Sequence, residues 1–167
     1  MASNYLEQLV AEWYEYQGYF IRRNIMVGKL QKGGYECELD IVAFHPETKH
    51  LVHIEPTHDA HSWTKREERF EKKFRAGRKY IPGIFKGLDI PTEIEQICLL
   101  GFGSNTSHPT LAGGKVVMVS EFLEEIIEKI SETSIHSNAM SENHPLLRTI
   151  QFITQNRKLF SELLGRI

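Results

Sequence analysis

The sequence predicts an α/β domain in which a mixed β-sheet is flanked by helices. Three observations carry that expectation. A helix-spaced apolar stripe opens the chain, three strand-like runs joined by tight turns follow, and a long amphipathic helix separates these from two further apolar runs. A meander of antiparallel strands followed by a helix and another strand produces a sheet of mixed direction.

Each element has its own signal. Ser3 or Asn4 can cap a first helix running to about residue 16, with Leu6, Leu9, Val10 and Trp13 at core-facing spacing and Gly18 ending it. Residues 19–27 read as a strand, and Lys32-Gly33-Gly34 as the turn that closes a hairpin. The next strand, 36–44, alternates Glu38 and Asp40 against Leu39 and Ile41 before becoming wholly apolar. Residues 45–49, His-Pro-Glu-Thr-Lys, form a turn into a short third strand, 51–55. Ser62 caps a long helix reaching about residue 80, in which Trp63, Phe70, Phe74 and Ile81 recur at helical intervals, and Pro82-Gly83 is expected to break it. Residues 94–102 read as a buried strand and 115–119 as another. Ser120 is the expected cap of an acidic helix, 121 to about 131, whose charges read as a solvated face. Residues 134–143 are polar and read as loop. His144-Pro145 then opens a final helix, 146 to about 164, apolar on more than one side. Extra core is the first reading of that helix, and a homodimer surface the second.

With 167 residues the chain is long enough for one domain, 1–167, that buries its own core without disulfides or a structural metal. Its core is expected over about 4–119, with additional C-terminal helices over about 120–165. A formal net charge of -2 gives no global signal for nucleic acid or a membrane surface, but leaves room for a local basic face. Cys37 and Cys98 lack any zinc or redox spacing and read as free thiols. The first residues lack the basic-then-apolar order of a signal peptide, and no apolar run approaches the roughly 18 residues a bilayer span needs. A cytoplasmic protein with no membrane partner is the resulting expectation.

The segment GGYECELDIVAFHPETKHLVHIEPT, residues 33–57, carries the chemistry. Asp40 lies in the middle of one strand and Glu55 at the end of the next, so a tight turn between the strands lets both carboxylates face one side of the sheet. Acids within apolar strands are expensive to bury, which argues for a purpose. Two carboxylates held close repel and raise each other's pKa unless a cation lies between them, and oxygen ligands of this kind suit Mg²⁺ or Mn²⁺.

ELDIVAF followed by HLVHIEPT resembles the catalytic hairpin of the PD-(D/E)XK nuclease superfamily, where an acid-x-Asp-hydrophobic-hydrophobic stretch precedes hydrophobic-hydrophobic-Glu-x-Lys. The resemblance spans roughly residues 4–103 and extends to the first helix and its exit, EQLVAEWYEYQGYFIRRN. It implies a restriction endonuclease-like fold with core order αβββαβ. The implied activity is divalent-metal-dependent hydrolysis of phosphodiester bonds, with DNA the favoured substrate. Mg²⁺ or Mn²⁺ would be gathered by Glu7, Asp40, Glu55 and the carbonyl of Pro56. Glu7 matches the opening helix's acid by its distance before Gly18, with Glu12 as the fallback.

One departure matters. The superfamily's lysine, which orients or deprotonates water and stabilises the transition state, should fall at residue 57, and this chain has Thr57. A threonine hydroxyl can position water but brings no charge. The following helix offers compensation, because Arg66, Arg69 and Lys73 are three or four residues apart and share a stripe. Arg69 or Lys73 is expected to replace the missing lysine, and all three are expected near phosphate. The alternative reading is a nuclease-fold protein that has lost catalysis with the lysine and binds nucleic acid or a protein partner. A third is an α/β domain whose acids are structural. His53, His58 and His61 bracket the motif without a zinc ligand set and read as surface residues or supports for their neighbours, His58 and Asp59 being minor candidates for a base.

Overall fold

The computed structural model describes residues 4–134 and 140–166. Ser3 therefore lies outside the described residues, as does 135–139, half of the expected loop. Helix α1, Tyr5–Tyr16, starts at Asn4, whose side chain accepts the Leu6 N–H at 3.1 Å. Strands β1 (Phe20–Lys29), β2 (Tyr35–His45) and β3 (His50–Thr57) follow, then α2 (Trp63–Ile84), capped by Ser62. The rest of the chain forms β4 (Glu95–Leu100), β5 (Thr110–Leu111), β6 (Gly114–Met118) and α3 (Val119–Ser131), then α4 (Pro145–Gln155) and α5 (Arg157–Leu164).

The six strands form one mixed sheet in the order β1-β2-β3-β4-β6-β5. The β1–β2 and β2–β3 pairs are antiparallel, β3–β4 and β4–β6 parallel, and β5–β6 antiparallel. The first six elements thus run α, β, β, β, α, β. One face of the sheet packs Ile41, Ala43, Val52 and Ile54 against Leu6, Leu9, Val10 and Trp13 of α1 and against apolar residues of α3 and α4. The other face packs against α2, with Val42, Phe44 and Leu51 meeting Ile81, and Cys98 and Leu100 meeting Phe70 and Phe74. Cys37 and Cys98 are free and buried.

Several boundaries correct the sequence reading. Pro82 does not break α2, which continues through it to Ile84. A proline two residues before the helix end removes only one bond, and burial of Phe85 on the core holds the last turn in place. Helix α3 begins at Val119 rather than after a Ser120 cap. Its first turn is held by Glu121, whose carboxylate accepts the Met118 N–H at 2.9 Å. The expected final helix is two helices, because Asn156 leaves helical geometry (φ -104°, ψ 26°) and its side chain donates to the Phe152 carbonyl at 2.9 Å. Strand β5 had no sequence signal at two residues. Of the C-terminal helices, α4 buries Leu147, whereas no residue of α5 is buried and Phe152, Leu159, Leu163 and Leu164 stay exposed. No helix among the described residues is long and apolar enough to cross a membrane.

Candidate active site

The carboxylates lie where the sheet parts. Pairing between β2 and β3 runs from His45–His50 to Ile41–Ile54 and stops. Beyond that point β2 pairs only with β1, and β3 only with β4. The β1–β2 ladder also skips Asp40, because Asn24 opposite it is left-handed with φ +52°. Strand β2 changes phase here. Cys37 and Leu39 face the α2 side before Asp40, and Val42 and Phe44 do so after it, a spacing of three where regular alternation gives two. The irregularity frees the Asp40 amide from the ladder, and it donates to Glu55 Oε1 at 3.1 Å.

Lys73 of α2 reaches into this gap. Its Nζ lies 2.6 Å from Asp40 Oδ1 and 2.7 Å from Glu55 Oε2. The Glu55 side chain is only 2% exposed, and those of Asp40 and Lys73 are each 19% exposed, so the triad is largely withdrawn from water with one open side. Burial and the adjacent Glu55 push the Asp40 carboxyl from its ordinary 3.8 up to about 7, against the lowering pull of Lys73. Burial works against the Lys73 charge, but the two carboxylates outweigh it and raise its pKa. Glu7, in the first turn of α1, is raised by partial burial and then by Asp40 and Glu38. Glu7 therefore feels Asp40, Asp40 feels Glu55, and the Lys73 ammonium stands among them.

Behind Glu55 lies a support that is wholly buried. His53, two residues earlier on the same face of β3, donates from Nε2 to Glu55 Oε1 at 2.8 Å. Its Nδ1 accepts from Gln96 Nε2 at 3.3 Å, and Arg78 in turn donates to Gln96 Oε1 at 2.6 Å. Burial, reinforced by Lys73, lowers the His53 pKa to about 3, so the ring is neutral and holds the tautomer this arrangement needs. Gly77 of α2 makes the space, since a Cβ there would lie 2.4 Å from His53 Nδ1.

Thr57 and the two arginines share another partner, Asp59. The Thr57 hydroxyl donates to Asp59 Oδ2 at 2.8 Å and accepts the Asp59 N–H at 3.2 Å. Arg66 Nε donates to Asp59 Oδ1 at 3.2 Å, and Arg69 Nη1 donates to Oδ2. Burial alone would raise the Asp59 carboxyl, but the Thr57 hydroxyl, the His61 amide and both guanidiniums hold it down to about 2. Arg66 is 3% exposed and committed to this cluster, whereas the Arg69 side chain is 40% exposed at the rim. The structure thus separates the basic stripe into Lys73 on the carboxylates and Arg66 and Arg69 on Asp59.

Glu12, the fallback acid, has a different job. It is fully buried, and its Oε2 accepts the N–H groups of Leu146 and Leu147 at 2.9 and 3.0 Å, capping α4 from α1. Pro56 is the penultimate residue of β3 and lies beside Leu99 of β4. Thr57 O accepts the Gly101 N–H at 2.8 Å on the β4 side, so strand alternation puts the Pro56 carbonyl on the opposite edge, which β2 has left. Its missing N–H therefore breaks no ladder.

Among the described residues no three carboxylate, imidazole or thiol side chains converge closely enough to enclose a metal by themselves. The donor set nevertheless suits a hard cation that keeps several waters. Asp40 and Glu55 already converge on a positive charge, and a backbone carbonyl faces the same opening. A groove of about 550 Å³ lies elsewhere, lined by Tyr14, Glu95, Lys115, Glu121 and Glu125 among others, and none of Asp40, Glu55 or Lys73 lines it. Convergent acids and a buried support mark the carboxylate gap as the better candidate site. No family model, curated protein or solved structure matches this chain.

Proposed function

We propose that this chain is a divalent-metal-dependent nuclease of the restriction endonuclease-like PD-(D/E)XK kind, acting on DNA. The observation that carries the reading is the approach of Lys73 to both Asp40 and Glu55 where β2 and β3 part. The cation lacking at residue 57 is supplied from α2 and meets the same two acids.

Asp40, Glu55 and the Pro56 carbonyl would hold Mg²⁺ or Mn²⁺, with Glu7 at the open side. When bound, such an ion polarises a phosphoryl oxygen and lowers the pKa of a coordinated water. Lys73 stays charged at neutral pH and supports negative charge developing on the phosphate or orients the attacking water. His53 fixes the Glu55 carboxylate by holding Oε1, which leaves Oε2 to face the cation. Thr57 is committed to Asp59 and so serves the site by positioning the loop after β3. Arg69, half-exposed at the rim, is the guanidinium placed to meet a phosphate.

The test is cleavage of supercoiled plasmid, linear duplex, single-stranded DNA and RNA with Mg²⁺ or Mn²⁺, comparing wild type with Asp40→Asn and Lys73→Met. Metal-dependent cutting lost in both variants supports the reading. Absence of cutting on every substrate removes it.

One observation favours a second reading. Glu55 is already satisfied by the Asp40 amide, His53 and Lys73, which describes a closed ion cluster as well as a site awaiting metal. A nuclease-fold protein that binds nucleic acid or a protein partner without cutting would keep such a cluster. Nucleic-acid binding with no cleavage in either metal is the outcome it expects.

A further inference from the structure

We propose that the rim beside the carboxylates holds an unpaired nucleobase, so that the substrate engaged at this site is single-stranded nucleic acid or a single-stranded end. The inference rests on the nuclease reading for its chemistry, but on different residues. Strands β3 and β4 end together at the Thr57–Leu100 pair, and the chains leaving them carry His58 and Phe102. Ligands of open parallel sheets gather outside the carboxyl ends of the strands, which is where these two residues stand. His58 follows Glu55 by three residues, roughly 10 Å along the strand, within reach of a nucleotide adjoining a phosphate at the carboxylates.

Three rings form a ledge here. Tyr5, at the start of α1, lies parallel to His58 with centroids 5.3 Å apart and planes at 22°, and its hydroxyl is bonded to His58 Nε2. Phe102 meets the His58 ring edge-on at 6.1 Å. The central ring is fixed from below, because a Cβ on Gly101 would come within 2.1 Å of His58 Nδ1. The outer rings are open, with Tyr5 61% and Phe102 55% exposed. A pre-ordered aromatic surface gives up little entropy on binding.

The chemistry of the occupant follows from that geometry. A free aromatic face takes another flat π-system, and the bases of a duplex have their faces covered by their neighbours, so only an unstacked base fits. Arg69, held on Asp59 at the same rim, supplies a cation for the accompanying backbone.

The experiment is fluorescence anisotropy in EDTA, titrating wild type, Tyr5→Ala, Phe102→Ala and Phe102→Trp into labelled oligothymidylate and a labelled duplex of equal length. Wild type is expected to prefer the single strand. Phe102→Ala and Tyr5→Ala should each weaken that binding by roughly 5- to 150-fold while leaving duplex affinity and thermal unfolding unchanged. Phe102→Trp should retain it. Equal losses on both ligands, no loss on either, or no binding to the single strand overturns the ledge. Metal-dependent cutting of duplex without single-strand preference would sink the ledge and leave the nuclease intact. Ledge-dependent binding with no cutting in Mg²⁺ or Mn²⁺ would do the reverse.

Discussion

Replacing Asp40 by asparagine is expected to stabilise the protein above neutral pH while abolishing the proposed activity. The carboxyl's pKa rises from an ordinary 3.8 to about 7 on folding, because burial and Glu55 together disfavour the charge. The folded state therefore binds the proton more tightly than the unfolded state, and stability falls as pH climbs from about 4 to about 7. Below that window the acid is neutral in both states and costs nothing. Above it the cost is complete. At about 1.4 kcal/mol per pH unit, the interval from 3.8 to about 7 bounds the cost at ~4 kcal/mol. Asparagine mimics the neutral acid at every pH, so it should recover about 1–4 kcal/mol at pH 8, visible as several degrees in melting temperature. Urea unfolding of both proteins at pH 8, 6 and 4 is the assay. The stability gap should close by pH 4. A variant less stable than wild type at pH 8, or a gap that does not change with pH, would refute the reasoning, since either result means the Asp40 charge is comfortable where it lies.

Lys73→Met removes the cation that bridges buried Glu55 and partly buried Asp40 and should destabilise by about 3–5 kcal/mol at pH 8, measured by urea unfolding. Much of that loss should be absent in the Asp40→Asn background, and added Mg²⁺ should restore stability to the single variant by occupying the vacated charge site. Gly77→Ala drives a Cβ to 2.4 Å from His53 Nδ1, and should cost about 1–3 kcal/mol and shift the His53 ring resonances in NMR. Glu12→Ala strips the α4 N-terminus of its cap and should cost about 1–2 kcal/mol, with faster amide exchange at Leu146 and Leu147 than elsewhere.

Much of the fold was legible because its signals are local. The apolar stripes of α1 and α2 and the turn residues between β1, β2 and β3 each act within a few residues. Asp40 and Glu55 stood out for the same reason, as acids in otherwise apolar strands. Choosing Lys73 over Arg69 needed the rotation of α2 about its axis, which the stripe leaves free within a turn. That Arg66 and Arg69 bind Asp59 depended on the path of the 58–62 loop, for which no periodicity exists. His53 was findable. It shares a strand face with Glu55 at a spacing of two, and Gly77 in the middle of a 22-residue helix announces a close approach. Glu12 was not, because its partners lie 134 and 135 residues away.

Thr57 at the end of β3 and Lys73 on α2 belong to one arrangement. Arg66, Arg69 and Lys73 occupy successive turns of one face of α2, spanning roughly 10 Å of axis from first to last. The acids that receive them, Asp59 and then Glu55 with Asp40, lie along and beside the end of β3 over a comparable length. The helix is therefore fixed against the strand at two points by charge, in addition to the packing of Phe70 and Phe74. Thr57 contributes to the first point by bonding Asp59, which a lysine there would not do in the same way. Sliding α2 by one residue would turn its stripe by about 100° and withdraw Lys73 from both carboxylates. The Asp59 cluster thus sets the register in which Lys73 reaches the site. Asp59→Asn should consequently lower the proposed nuclease activity through Lys73 placement while leaving both site carboxylates in place.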